Sequence, residues 1–126
     1  MRLSRLKFNA ITKYHFPKDI PFKINQGRCF AWAYIAYCTF PNVQLCSTDI
    51  HAFIKYRGKF YDAERLTGVK DWKELPAAYK GKHPFYDSPL ELRFHSKESF
   101  KKAWSGQPAR FSLSWRGLEL KAKIRK

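Results

Sequence analysis

A cysteine, a histidine and an aspartate combine into a chemistry that nothing else in this chain matches. Cys29 follows Asn25-Gln26-Gly27-Arg28 and opens an uncharged run, His51 precedes Ala52-Phe53-Ile54, and Asp62 closes Lys59-Phe60-Tyr61. A thiol nucleophile needs a base beside it and a third group that orients the base, and these residues occur in that order. A free thiol, with a pKa near ~8.5, attacks poorly at neutral pH; a helix N-terminus or a nearby cation favours the thiolate. Arg28 adds such a cation next to Cys29. Gln26 and Gly27 could offer backbone N–H groups, and Gln26 a side-chain amide, to a developing oxyanion.

The elements that must hold these groups follow from pattern. Residues 29–38 carry no charge; a helix apolar on all sides is a buried one, and Cys29 is its first residue. Residues 50–56 are rich in strand formers, Arg57-Gly58 supplies a turn, and residues 59–64 return, which predicts a hairpin. With a two-residue turn, Tyr56 faces Lys59, Phe53 faces Asp62 and His51 faces Glu64, so His51 and Asp62 are diagonal neighbours on one face. Glu64 is an alternative orienter from the same register. A one-residue change in the turn would send Asp62 to the other face.

Elsewhere the pattern predicts a short strand or arm and an irregular approach over 1–24, broken by Pro17 and Pro21, and a loop over 66–69. Residues 71–75 suggest one helical turn capped by Asp71, residues 76–89 a loop, and 90–94 a strand. Residues 96–104 suggest a helix capped by Ser96, and the alternation in 111–115 and 118–124 a second hairpin about Arg116-Gly117. No repeat or linker interrupts the 126 residues, so the expectation is one α+β domain with basic N- and C-terminal segments.

The remaining candidates have simpler explanations. Cys38 and Cys46 fit packed core positions. His15, His83 and His95 fit surface or structural roles, and Asp49 a turn. Three cysteines without a CxxC pair argue against a structural zinc site and against a disulfide scaffold. No cofactor is expected.

The segments around the three residues resemble a known superfamily. Gln26-Gly27-Arg28-Cys29-Phe30-Ala31-Trp32-Ala33 is similar to the nucleophile segment of papain-like cysteine peptidases, where a glutamine and a glycine precede a cysteine opening a buried helix that bears a Trp. His51-Ala52-Phe53-Ile54 and Gly58-Lys59-Phe60-Tyr61-Asp62 resemble the His and Asp strands of the transglutaminase-like branch. The resemblance covers roughly residues 24–75. It implies a papain-like or transglutaminase-like core, a buried helix packed on a small antiparallel sheet. It implies Cys29, His51 and Asp62 as catalytic residues, with Gln26, Gly27 and Trp32 on the oxyanion and substrate side. Gln26 stands closer to the cysteine than the corresponding glutamine of papain-like enzymes, and the short interval from Cys29 to His51 leaves out the large domain that builds papain's peptide subsites. The small size and basic ends are similar to those of compact phage-encoded members.

The charge is extreme and uneven. The chain carries +15, of which +6 lies in residues 1–28 and +7 in residues 97–126, leaving +2 for the centre. Such ends attract nucleic acid, an acidic protein or an anionic surface; Lys101, Lys102, Lys121 and Lys123 are the candidate contacts. Phe8, Tyr14, Phe16, Phe100, Trp104, Phe111 and Trp115 lie among these basic residues, either as stacking platforms or as core positions. At 44% hydrophobic and 17% aromatic the composition excludes a disordered chain. No apolar run reaches the ~18 residues of a spanning helix and the start lacks a signal-peptide pattern, so a cytoplasmic location is expected, the host cytoplasm for a phage product. Two functions fit. One is a thiol hydrolase or transferase acting on a peptide or amide. The other is a non-enzymatic basic module on the same fold that binds nucleic acid or an acidic host protein.

Overall fold

The computed structural model describes residues 3–78 and 91–125. Its elements are α1 (Leu3–His15), α2 (Pro21–Asn25), α3 (Cys29–Thr39), β1 (Gln44–Ser47), β2 (Ala52–Tyr56), β3 (Lys59–Asp62), β4 (Arg65–Val69), a 3-10 turn (Trp72–Glu74), β5 (Arg93–His95), α4 (Lys97–Ala103), α5 (Gln107–Arg110) and α6 (Trp115–Arg125). The five strands form one antiparallel sheet in the order β4-β3-β2-β1-β5. The class is α+β.

Helix α3 is the axis of the molecule. Residues Cys29 to Ala36 are all buried, which is why the run tolerates no charge. Its alanines at 31, 33 and 36 let β2 and α6 approach closely. The polar atoms it buries are satisfied: the Trp32 indole donates to Thr12 Oγ1 at 3.0 Å, Thr39 Oγ1 to the Ile35 carbonyl at 2.7 Å, and the Tyr34 hydroxyl to Glu119. Leu45, Ile54, Tyr56 and Tyr61 of the sheet join this core with Phe8 and Ile11 of α1 and Leu118 and Ala122 of α6. The opposite sheet face carries a smaller cluster of Cys46, Phe53, Phe60, Leu75 and Ala78.

The β2–β3 turn is the two-residue one that the register needs. Arg57 and Gly58 have φ of 50° and 80°, the paired positive values of a hairpin turn whose twist matches the strands. Tyr56 pairs with Lys59 and Ile54 with Tyr61; one further step sets Phe53 opposite Asp62.

Both ends differ from the sequence expectation. Residues 3–15 and 21–25 are helical rather than an extended arm, and the hairpin expected over 111–124 is instead the short link that follows α5 and most of α6. Residues 65–69 form the edge strand β4 rather than a loop, and β1 at 44–47 went unread. The Asp71 and Ser96 caps are present, each side chain accepting a backbone N–H two or three residues on. Most of the loop expected over 76–89 lies outside the described residues, as does His83.

Candidate active site

The nucleophile candidate sits where a short helix hands over to a long one. α2 ends at Asn25, and the next three backbone N–H groups turn back onto it: Gln26 to the Lys23 carbonyl at 3.1 Å, Gly27 to Ile24 at 3.5 Å, and Arg28 to Ile24 at 2.9 Å. Cys29 is then the first residue of α3. The first N–H groups to find acceptors at this end of α3 are those of Ala31 and Trp32, both on the Arg28 carbonyl. The amides of Cys29 and Phe30 are therefore the ones that point out of the helix N-terminus. This revises the oxyanion expectation, since Gln26 and Gly27 have their backbone donors engaged and the Gln26 residue is exposed. Gly27 has a different task. A Cβ there would stand 2.9 Å from the Phe111 ring, so the glycine lets the α5–α6 link close over this segment.

Three further expectations change. Trp32, expected on the substrate side, is buried against Phe8, with its N–H on Thr12. Arg28 does not direct its charge freely at the thiol, because its guanidinium pairs with Asp19 at 3.0 Å and lies over Phe111 at 5.4 Å. Glu64 does not orient His51. Its carboxylate accepts a hydrogen bond from Asn25 Nδ2 at 2.8 Å.

The structure does bring Cys29, His51 and Asp62 together. A tight turn joins β1 to β2, with Thr48 N–H on the His51 carbonyl at 2.9 Å, and so delivers His51 to the start of β2. The amide of Ala52, the next residue, donates to Cys29 Sγ at 3.4 Å. His51 Nε2 lies 3.0 Å from Asp62 Oδ2. The other oxygen of Asp62 accepts the N–H groups of Glu64 at 2.9 Å and Arg65 at 3.0 Å, which locks the carboxylate across the β3–β4 turn. With Nε2 on the carboxylate, Nδ1 is the ring nitrogen left for the thiol; it is buried and has no hydrogen-bond partner among the described residues. Exposures of 5% for Cys29, 0% for His51 and 1% for Asp62 place the group just under the surface.

Electrostatics favour a charged imidazole. Burial pushes His51 down, but the charge of Cys29 together with the hydrogen bond and charge of Asp62 raises it to about 9. Burial pushes the Cys46 thiol up to about 12 and raises Cys38 as well.

Sequence reasoning missed Asn25 as the partner of Glu64, and the Ser47–His95–Ser99 chain. His95 Nε2 is 2.7 Å from Ser47 Oγ and its Nδ1 is 2.6 Å from Ser99 Oγ. Nothing local marked either: Asn25 and Glu64 lie 39 residues apart, and the members of the chain 48 and 4. Of the candidate polyanion contacts, Lys101 is paired with Glu119 at 3.1 Å, whereas Lys102, Lys121 and Lys123 are exposed. Among the described residues no cluster of three or more potential ligands could hold a metal, and no helix is long and apolar enough to cross a membrane.

Comparison of the chain with family models, with curated proteins and with solved structures gave no match.

Proposed function

We propose that the protein is a thiol hydrolase or transferase of the papain-like and transglutaminase-like kind, with Cys29 as nucleophile, His51 as general base and acid, and Asp62 as orienter. The observation that carries this reading is His51 held at 3.0 Å by Asp62 while the adjacent Ala52 amide touches Cys29 Sγ. An imidazolium beside a sulfur at a helix N-terminus favours the thiolate. Sγ would attack an amide or ester carbonyl, and the oxyanion would meet the outward N–H groups of Cys29 and Phe30. His51 would then give its proton to the leaving amine or alcohol, which departs and leaves an acyl-thioester. Water or an acceptor amine, deprotonated by His51, would release the acyl group and restore the thiol.

The test is alkylation by iodoacetamide at pH 6 with mass spectrometry of the adduct. Cys29 is expected to react first and to slow when His51 is replaced by Ala. Earlier alkylation of Cys38 or Cys46 would refute the reading.

A second function is favoured by one observation: Lys102, Lys121 and Lys123 are exposed and carry no ion pair among the described residues. A polyanion bound there would release counterions, with a log–log salt slope of about 0.9 per neutralised phosphate on duplex DNA. Nucleic-acid binding with no salt dependence would remove this function and leave the thiol site untouched.

A further inference from the structure

Next to the Asp62 turn lies a cleft lined by none of Cys29, His51 and Asp62. It has a volume of about 680 Å³ and runs between Ile20, Pro21 and Phe22 on one wall and residues 63–67 on the other. Ile20 and Phe22 are large apolar residues left 59% and 54% exposed, which is unusual for side chains that the core could have taken. Pro21 at the first turn of α2 fixes the backbone that presents them.

Polar groups at the cleft have one sign to spare. Glu64 supplies its one carboxylate, and Asn25 already holds it at 2.8 Å. Arg65 is exposed on the opposite wall, its guanidinium touching only the Glu64 carbonyl at 3.0 Å among the described residues. Lys18 and Lys23 flank the Ile20–Phe22 wall, exposed and without an ion pair among the described residues. Asn25 itself is 7% exposed, and because its Nδ2 faces the Glu64 carboxylate its Oδ1 is left buried without a partner.

The cleft is also tied to the thiol site by short bonds. Glu64, a wall residue, gives its backbone N–H to Asp62 Oδ1 at 2.9 Å, and its side chain is held by Asn25, four residues before Cys29.

We propose that this cleft is the substrate subsite of the thiol centre and takes an extended peptide segment with an apolar side chain flanked by carboxylates. The apolar side chain packs against Ile20 and Phe22, and the carboxylates meet Arg65, Lys18 and Lys23. The subsite role rests on the thiol reading above; the recognition chemistry does not.

The test uses the full chain and a dye-labelled, N-acetylated hexapeptide with a central leucine between aspartates, against the same peptide with lysines. Anisotropy is expected to show the aspartate peptide binding at least about tenfold more tightly, with Phe22→Ser and Arg65→Glu each weakening it about tenfold. Both positions are exposed, so neither variant disturbs the core. Saturating peptide is expected to slow alkylation of Cys29 several-fold. Equal binding of the two peptides, or indifference to both substitutions, overturns the proposal, as does displacement of the peptide by an equally charged oligonucleotide. Binding without protection of Cys29 overturns the subsite role. Selective peptide binding beside a Cys29 that never reacts supports the cleft's chemistry and refutes the thiol reading, so the two failures are distinct.

Discussion

Two histidines are buried against this sheet, and the fold shifts their titrations in opposite directions. His51 lies beside the Asp62 carboxylate and the Cys29 sulfur, and those partners outweigh burial and lift it to about 9. His95 lies between two hydroxyls, Ser47 and Ser99, and burial, aided by the Arg93 charge, lowers it. Burial is the largest influence on both. The partners alone decide whether the imidazole is a proton store at neutral pH or a neutral strut pinning β5 and α4 to β1. A buried histidine is therefore informative through what faces it.

The comparison breaks most completely at a place that touches neither ring. One residue inserted after Gly58 reverses the facing of β3 and carries Asp62 away from His51. Cys29 alkylation at pH 6 is then expected to fall to that of an unassisted thiol, while His95 keeps its lowered titration by NMR. A milder break is Asp62→Asn, which keeps the shape and removes the charge. On the proposed mechanism, turnover of any amide or ester substrate falls roughly 10⁴-fold, and the His51 titration moves down toward that of His95. A His51 resonance that still titrates near 9 in this variant would show that the carboxylate does not hold the proton there.

How far each site was legible in the sequence follows from the same contrast. The His51–Asp62 relation was readable because one turn, Arg57-Gly58, fixes it locally, and both residues took the positive φ that the turn demands. The Cys29 helix was readable because eleven residues without charge have no surface face to show. The ends were misread because alternation of basic and apolar residues fits two periods at once. In α1 the buried Phe8, Ile11 and Thr12 follow helical spacing, yet the prolines and lysines around them suggested an arm. In 111–124 the alternating Phe111 and Leu113 pack from a link and Trp115 from the first turn of α6, rather than from a strand, and the helical signal is Leu118 and Ala122, four apart. The Trp32 and Glu64 assignments failed for another reason: each side chain is engaged by a residue 20 or 39 positions away, Thr12 and Asn25. The sequence carries no local mark of such pairings.

A smaller effect separates the two histidines by pH rather than by rate. His51 is raised in the folded protein, so its contribution to stability is complete below about pH 6.5 and is lost as the pH climbs to about 9. The full span of that loss is on the order of 3 kcal/mol. Cys29→Ala removes the largest influence that lifts His51. The urea midpoint of the wild-type chain is expected to decline between pH 6.5 and 9, and that of the variant to decline less. Parallel alkaline declines in the two proteins would mean that the thiol does not set the charge of His51.

His95 provides the mirror experiment and the smallest effect. Its lowered value means that stability tied to the neutral ring is complete above about pH 6.5 and is lost as the pH falls. Ser47 is 2% exposed and its hydroxyl is 2.7 Å from His95 Nε2, so Ser47→Ala leaves a ring nitrogen without its partner in a site closed to water. The cost of such an orphaned group is about 1–3 kcal/mol, and a steeper acid limb in the pH–stability curve is expected with it. Ser99→Ala is expected to do less, because residue 99 is exposed and water can replace its hydroxyl at Nδ1. Neither substitution is expected to change Cys29 alkylation, since no bond links this chain to His51 or Asp62 among the described residues. A Ser47→Ala protein with slowed alkylation but an unchanged acid limb would mean that the two histidines form one system.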